Sequence, residues 1–278
     1  MRLAGIGDNV VDCYIEEGIM FPGGNALNVA VAARRSGREA GYIGVVGDDR
    51  AGAHIRRALE EEGVETTRLH GAAGRTAYAT VRLVDSNRVF GRGSVGVSRF
   101  DPDPEDMDYL RGFDVIHTGD CSSMERHLHT LAGIAPLSFD FSDKGIEYAE
   151  PLLSDLWMAE FSGSHLTETE AEDMARWAHE RGPAYVLVTL GSQGSLFYDG
   201  TRLHRQESVD GKVVDTLGAG DSFIARTIVG IAEGNDVAET LHDAAHAAYE
   251  ACLTRGAFGY PAPSVVDAEG IHQSEQGR

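Results

Sequence analysis

The stretch Val213-Val214-Asp215-Thr216-Leu217-Gly218-Ala219-Gly220-Asp221-Ser222-Phe223 runs from an extended segment into glycines that open a helical pattern. Gly218 and Gly220 permit close approach of another backbone or a ligand. Successive amides at a helix start point their N–H bonds at one spot, which makes an anion site. Asp221 falls in the first turn of that helix, beside the same spot. A carboxylate there opposes an anion, so it serves either the helix dipole or a chemical step. Accepting a proton from an attacking hydroxyl is such a step, with the amides of Ala219, Gly220 and Asp221 holding charge on a transferring phosphoryl group.

Outward from this stretch, short β-type runs alternate with amphipathic helical runs, the pattern of a doubly wound α/β fold with a mainly parallel sheet. The runs predict strands over Leu3 to Gly7, Gly41 to Val46, Val115 to Thr118, Leu137 to Phe141, Leu156 to Glu160 and Ala184 to Thr189. Helices are expected over Ala26 to Arg35, Ala51 to Glu62, Met124 to Leu131, Glu168 to Arg181, Ala219 to Ala232 and Val237 to Thr254. Gly37 and Gly63 follow two of these as C′ residues. From Thr76 to Val84 the texture changes to β-branched alternation, Asp85-Ser86-Asn87 supplies turn chemistry, and Arg88-Val89-Phe90 resumes an extended run, which predicts an antiparallel hairpin outside the main sheet. Asp101 to Asp106 combines prolines with acids and opens the next helix, and the tail from Pro261 to Arg278 reads as peripheral.

Three further blocks carry candidate site residues. Gly7-Asp8-Asn9-Val10-Val11-Asp12 follows the first strand at its carboxyl end, where ligands collect in open α/β sheets, although Asp8 and Asp12 also suit a plain turn. In Pro22-Gly23-Gly24-Asn25-Ala26-Leu27-Asn28, the glycines make a turn bare of side chains, and Asn25 and Asn28 each offer a donor and an acceptor to a polyol. Asn25 serves equally well as a helix N-cap. Thr189-Leu190-Gly191-Ser192-Gln193-Gly194 ends another strand as a small turn.

The Asp215 to Asp221 string resembles the carboxy-terminal signature of the ribokinase-like (PfkB) carbohydrate kinases, and Pro22 to Ala30 is similar to their amino-terminal signature. The likeness spans Gly7 to Asp221 and implies one ribokinase-like kinase domain over 1–278, with a small β lid from segments near 10–22 and 74–99. It implies that Asp221 is the catalytic base with Gly218, Ala219 and Gly220 as anion hole, that Asp8, Asp12, Gly24, Asn25 and Asn28 meet the sugar, and that Thr189, Gly191 and Gly194 meet the nucleotide. ATP, Mg²⁺, a monovalent cation and a homodimer formed through the lid follow from the same resemblance. Phe139-Asp140-Phe141-Ser142-Asp143-Lys144, with Val46 to Asp49 and Arg88 to Gly91, looks more narrowly like the fructoselysine 6-kinase branch. That implies phosphorylation of the 6-hydroxyl of fructoselysine or a related fructosamine, with Arg88 and Phe90 on the lid covering the substrate. Other sugar kinases, for ribose, fructose or 2-keto-3-deoxygluconate, and a non-catalytic sugar-binding protein of the same fold are the alternatives. The family's Asn-x-x-Glu block reads Ser162 to Glu168 here and lacks the asparagine, leaving Glu168 as a water-mediated magnesium candidate; Arg226 has no assigned role.

Composition bounds the remaining classes. The 278 residues hold 44 acidic and 24 basic side chains, a formal net charge of -20, which repels nucleic acid and anionic membrane surfaces. Cys13, Cys121 and Cys252 form no CxxC pair, no apolar run approaches the ~20 residues of a membrane span, and the amino terminus has no signal-peptide pattern, so a cytoplasmic protein is expected. Gly91 to Gly96 matches GxGxxG by letter, but no helix pattern follows it, and no GxxxxGK[ST] string occurs. His242 and His246 have the spacing of a shared metal but lack the HExxH context of a zinc hydrolase, while His117, His127 and His129 with Cys121 read as scattered helix and loop residues.

Overall fold

Strands covered on both faces need unbroken apolar runs, and Leu3 to Ile6, Tyr42 to Val46 and Val186 to Val188 are buried throughout. The computed structural model describes residues 1–84 and 87–267. Its chain order is β1 (Arg2–Ile6), β2 (Val10–Tyr14), β3 (Ile19–Gly23), α1 (Asn25–Arg35), β4 (Glu39–Gly47), α2 (Arg50–Glu62) and β5 (Leu69–Ala72), then β6 (Tyr78–Val84), β7 (Asn87–Ser94), α3 (Pro104–Leu110) and β8 (Val115–Gly119). It continues through α4 (Leu128–Ala132), β9 (Leu137–Asp140), α5 (Ile146–Ala149), β10 (Met158–Ser162), α6 (Glu168–His179) and β11 (Tyr185–Thr189). β12 (Ser195–Tyr198), β13 (Leu203–Gln206), α7 (Ala219–Ala232), α8 (Val237–Ala251) and β14 (Ala262–Pro263) complete it.

The main sheet has nine strands in the order β13-β12-β11-β10-β9-β8-β1-β4-β5. From β11 to β5 every pairing is parallel; β12 and β13 add an antiparallel edge. One face packs on α1, α2, α7 and α8, the other on α3, α4, α5 and α6. This is the doubly wound α/β architecture that the sequence predicts. The strand order reverses direction between β1 and β8, and ligands of such sheets bind at that crevice, outside the carboxyl ends of the strands.

A second sheet, β14-β3-β2-β6-β7, forms the small β lid. The predicted hairpin is β6 against β7, antiparallel with a register shift between Ala79 and Val81, but it extends a five-stranded sheet by pairing β6 in parallel with β2. The turn expected at Asp85 and Ser86 lies outside the described residues. Residues 261–267 are not peripheral: β14 pairs with β3, and Val265 and Val266 are buried. Apolar side chains in a polar tail have somewhere to go only because β3 presents an edge, which composition does not reveal. Residues 268–278 of that tail also lie outside the described residues.

Helix limits differ where local signals are weak. Instead of one helix over Met124 to Leu131 there is a 3₁₀ turn, Glu125–His127, followed by α4. α8 ends at Ala251, and the strand expected at Leu156 to Glu160 sits two residues later. Arg226 on α7 forms an ion pair with Asp243 on α8, so its charge serves to join the two helices.

Candidate active site

The start of α1 is built without a side chain at Gly24. Its φ is +118, and an added Cβ would lie 2.7 Å from Asn9 Cα and 2.8 Å from the Asp8 carbonyl oxygen. Capping comes from across the crevice: Asp8 Oδ2 accepts from the Asn25 amide at 2.8 Å and Oδ1 from the Ala26 amide at 3.2 Å, while Ser122 Oγ donates to Oδ1 at 2.9 Å. Burial raises the Asp8 pKa against these hydrogen bonds. Asn25 is thus the first residue of the helix and not its cap, and its side chain is left for other partners.

Those partners converge on Asp221. Asn25 Nδ2 donates to Asp221 Oδ1 at 2.9 Å and to Asp140 Oδ2 at 2.8 Å, and Asn28 Nδ2, one turn along α1, donates to Asp221 Oδ2 at 2.7 Å. Two asparagines singled out in the sequence therefore meet an aspartate nearly two hundred residues further on, where α1 packs on α7.

The loop before α7 is held from below. Asp215 is 4% exposed; its Oδ1 accepts from the Leu217 amide at 3.0 Å and its Oδ2 from the Gly256 amide at 3.1 Å, with Tyr14 of the lid strand β2 also donating to Oδ2. Gly218 caps α7 at φ +79, packed so that a Cβ would lie 2.8 Å from Ala257 Cα. The Ala219 amide donates to Thr216 O in a long 3.3 Å turn bond, and Gly220 and Asp221 occupy the next two positions of the first turn. A Cβ on Gly220 would meet nothing within 4 Å, so this glycine borders open space.

Beneath Asn25 a polar row crosses three neighbouring strands. His117 Nε2 lies 3.0 Å from Asn25 Oδ1; His117 Nδ1 lies 2.7 Å from Ser138 Oγ, which lies 2.7 Å from Glu160 Oε1. His117 and Ser138 are direct partners in the β8–β9 register, as are Asp140 and Glu160 between β9 and β10. His117 is not a helix or loop residue but a wholly buried strand residue. None of these four entered the sequence-based site. The available signal was a polar residue inside a strand expected to be apolar on both faces.

Burial depresses the His117 imidazole to about 3 and lifts the Asp140 carboxyl to about 8, helped by the nearby Asp221, Asp120 and Asp8 carboxylates. Burial likewise raises Glu160 well above its usual 4.5. A carboxyl whose folded pKa exceeds its unfolded value stabilises the fold fully below the unfolded pKa and loses that contribution as pH rises through the folded one. Glu160→Gln cannot ionise, so its melting temperature is expected to gain steadily on the wild type as pH rises above the ordinary glutamate range toward the raised value of the folded state. A difference that stays constant over that range would overturn the assignment of a protonated Glu160.

The remaining candidates lie around this centre. Asp12 is 3% exposed on β2, its Oδ2 only 2.4 Å from where a Cβ on Gly23 would stand. Phe90 is 56% exposed on the lid edge, whereas the Arg88 side chain lies outside the described residues. Thr189 closes β11 at the carboxyl edge of the main sheet, donating to Phe161 O at 3.4 Å, and Gly191 and Gly194 turn the chain back into β12. Glu168, at the first position of α6, is ion-paired with Arg205 on β13. Among the described residues, three potential metal ligands cluster at His70, Asp103 and Asp106, where Arg68 already holds both carboxylates; His242 and His246 belong to no such group.

Comparison with known proteins bears on the family and the fold. The model of the pfkB family carbohydrate kinases matches residues 6–138 and 154–263. The chain is 39% identical over 269 residues to fructosamine kinase FrlD of Bacillus subtilis (strain 168), covering 95% of each protein. It is 36% identical over 259 residues to fructoselysine 6-kinase of Escherichia coli (strain K12), covering 92% of this chain and 99% of that one. The structure of Arabidopsis thaliana ribokinase complexed with ribose and ATP superposes with a TM-score of 0.82 over 97% of this chain and 96% of that chain, and at 23% identity the likeness is one of fold. With the family model matching most of its length, the chain belongs to the pfkB family of carbohydrate kinases, on a ribokinase-like α/β fold.

Proposed function

We propose that the chain transfers the γ-phosphoryl group of ATP to the primary hydroxyl of a fructosamine, with the 6-hydroxyl of fructoselysine the leading acceptor. The observation that carries the reading is Asp221, at the start of α7, held by amide N–H bonds from Asn25 and Asn28 on α1. A carboxylate so held accepts the proton of the substrate hydroxyl as its oxygen attacks the γ-phosphorus in line and the bond to the ADP oxygen breaks. The first-turn positions of α7, Ala219 to Asp221 behind the Gly218 cap, supply dipole and amide donors for the spreading charge. Asp12 offers the sugar an acceptor, the α1 asparagines act on it through the Asp140 and Asp221 carboxyls they hold, and the lid excludes water. The Thr189 to Gly194 turn takes the nucleotide. The names of the two curated relatives support the fructosamine class.

Among the described residues, neither candidate position offers magnesium a protein cage. Glu168 is engaged by Arg205, and the cluster at His70 is occupied by Arg68, so the ion fits better as a partner of the nucleotide phosphates. We also infer a homodimer through the lid, where β7 is an open edge strand carrying Val89 and Phe90 at 48% and 56% exposure. Sedimentation at the monomer mass would refute it. A reducing cytoplasm suits three cysteines that form no disulfide, and among the described residues no helix is long and apolar enough to cross a membrane.

The test is ADP release with fructoselysine, fructose and ribose in turn. Fructoselysine is expected to exceed fructose in kcat/KM by at least about tenfold, the discrimination available to a site that pairs an added polar group. Turnover of ribose alone would remove the substrate choice, and no turnover with any acceptor would favour the non-catalytic reading.

A further inference from the structure

We infer that Glu160, Ser138 and His117 are positioning residues that lock the Asn25 amide in the one orientation that turns both of its N–H bonds to Asp221 and Asp140. The inference rests on Asp221 being the catalytic base, and it assigns a role to a buried row that touches neither substrate nor nucleotide.

Burial keeps the His117 imidazole neutral, and with one ring hydrogen to place, proton counting fixes the direction of every link. Asn25 spends its two N–H bonds on Asp140 and Asp221, so only its carbonyl oxygen faces His117 Nε2, which must therefore carry a hydrogen. A neutral imidazole protonated at Nε2 has a lone pair at Nδ1, and Ser138 O–H must donate to it. Ser138 then has no hydrogen left for Glu160 Oε1 at 2.7 Å, so the Glu160 carboxyl must donate to Ser138 and be protonated. Glu160 is 1% exposed, and burial favours that protonated form over the ionised one.

The opposite arrangement is self-defeating. An ionised Glu160 would accept from Ser138, which would draw the single hydrogen of the neutral imidazole to Nδ1 and present a bare Nε2 to Asn25. The amide would turn over, and its oxygen would then face the Asp221 carboxylate, which would lose the donor on Oδ1. Space is also reserved for the Asn25 amide itself: a Cβ on Gly119 would come within 2.5 Å of Asn25 Oδ1, and Gly119 is extended at φ -155, so room and not backbone freedom explains the glycine. The row thus aims the donors on Asp221 Oδ1 through neutral groups, adding no charge beside an ionised base.

The experiment reads both tautomer and turnover on the full-length chain. Nitrogen-15 spectra of the wild-type imidazoles are expected to show His117 protonated at Nε2 and bare at Nδ1 at neutral pH. His117→Leu is expected to lower kcat about tenfold with KM for ATP unchanged, the scale of a reacting group left loosely aimed. Glu160→Leu is expected to lose several-fold in kcat, and Glu160→Gln, which restores an N–H donor to Ser138, to recover most of that loss. An Nδ1–H tautomer in the wild type overturns the inference even if the leucine variants fail to fold. So does a glutamine variant no better than the leucine one. Full turnover by Asp221→Asn would instead sink the reading of Asp221 as base while leaving the tautomer result standing.

Discussion

Asp221→Asn is expected to cut kcat by about three orders of magnitude, within the range for loss of a general base, while leaving the fold intact. Its effect on KM for the sugar is expected to be small, because an amide of the same shape still fills the place between α1 and α7. The prediction has an internal control. Asp221 accepts on both oxygens, from Asn25 at 2.9 Å and Asn28 at 2.7 Å, whereas an asparagine has one acceptor and must turn its own N–H bonds toward one of these donors. If Asp221 only satisfied those two amides, Asp221→Asn would keep part of the function and Asp221→Ala much less. If it removes a proton, the two variants are equally inactive, since neither side chain can do so. ADP release with saturating acceptor separates the outcomes, and an asparagine variant within tenfold of the wild type would refute the proposed role.

The parts of this site legible in the sequence are those in which a residue's local setting was unusual. Asp221 in the first turn of a glycine-started helix, and Asn25 and Asn28 one turn apart after two glycines, are such cases, and the fold brings all three together. The main strands and most helix starts were legible for the same reason, since burial period and caps are local. The capping of α1 was not legible, because its acceptor, Asp8, lies on a different segment and donates nothing to the local pattern. Lid strands β2 and β3 are short, and β14 exists only by pairing with β3, so tertiary pairing decided them. The row of His117, Ser138 and Glu160 was half legible. Each residue stood in or at the end of an expected strand, but their mutual distances depend on the order β8-β9-β10, which no single strand encodes. Arg226 was opaque until α8 supplied Asp243.

Gly218 and Gly220 stand two residues apart, yet their replacement by alanine is expected to fail in opposite ways. Gly218 is left-handed at φ +79, and a Cβ would press within 2.8 Å of Ala257. Gly218→Ala therefore pays both strain and a clash, about 1–3 kcal/mol of stability, and tilts the helix start that carries Asp221, so melting temperature and kcat fall together. Gly220 is helical, and its Cβ would enter open space, so Gly220→Ala is expected to hold or raise stability by up to about 1 kcal/mol. If that space receives the transferring phosphoryl group, the same methyl displaces it from the first-turn amides, and kcat falls by about a hundredfold or more in a protein that melts no lower than the wild type. A helix that used glycine here for folding alone would gain stability and keep its turnover. Thermal melts beside ADP release decide between the two, because only an anion bound at this turn makes a stabilising methyl group inactivating.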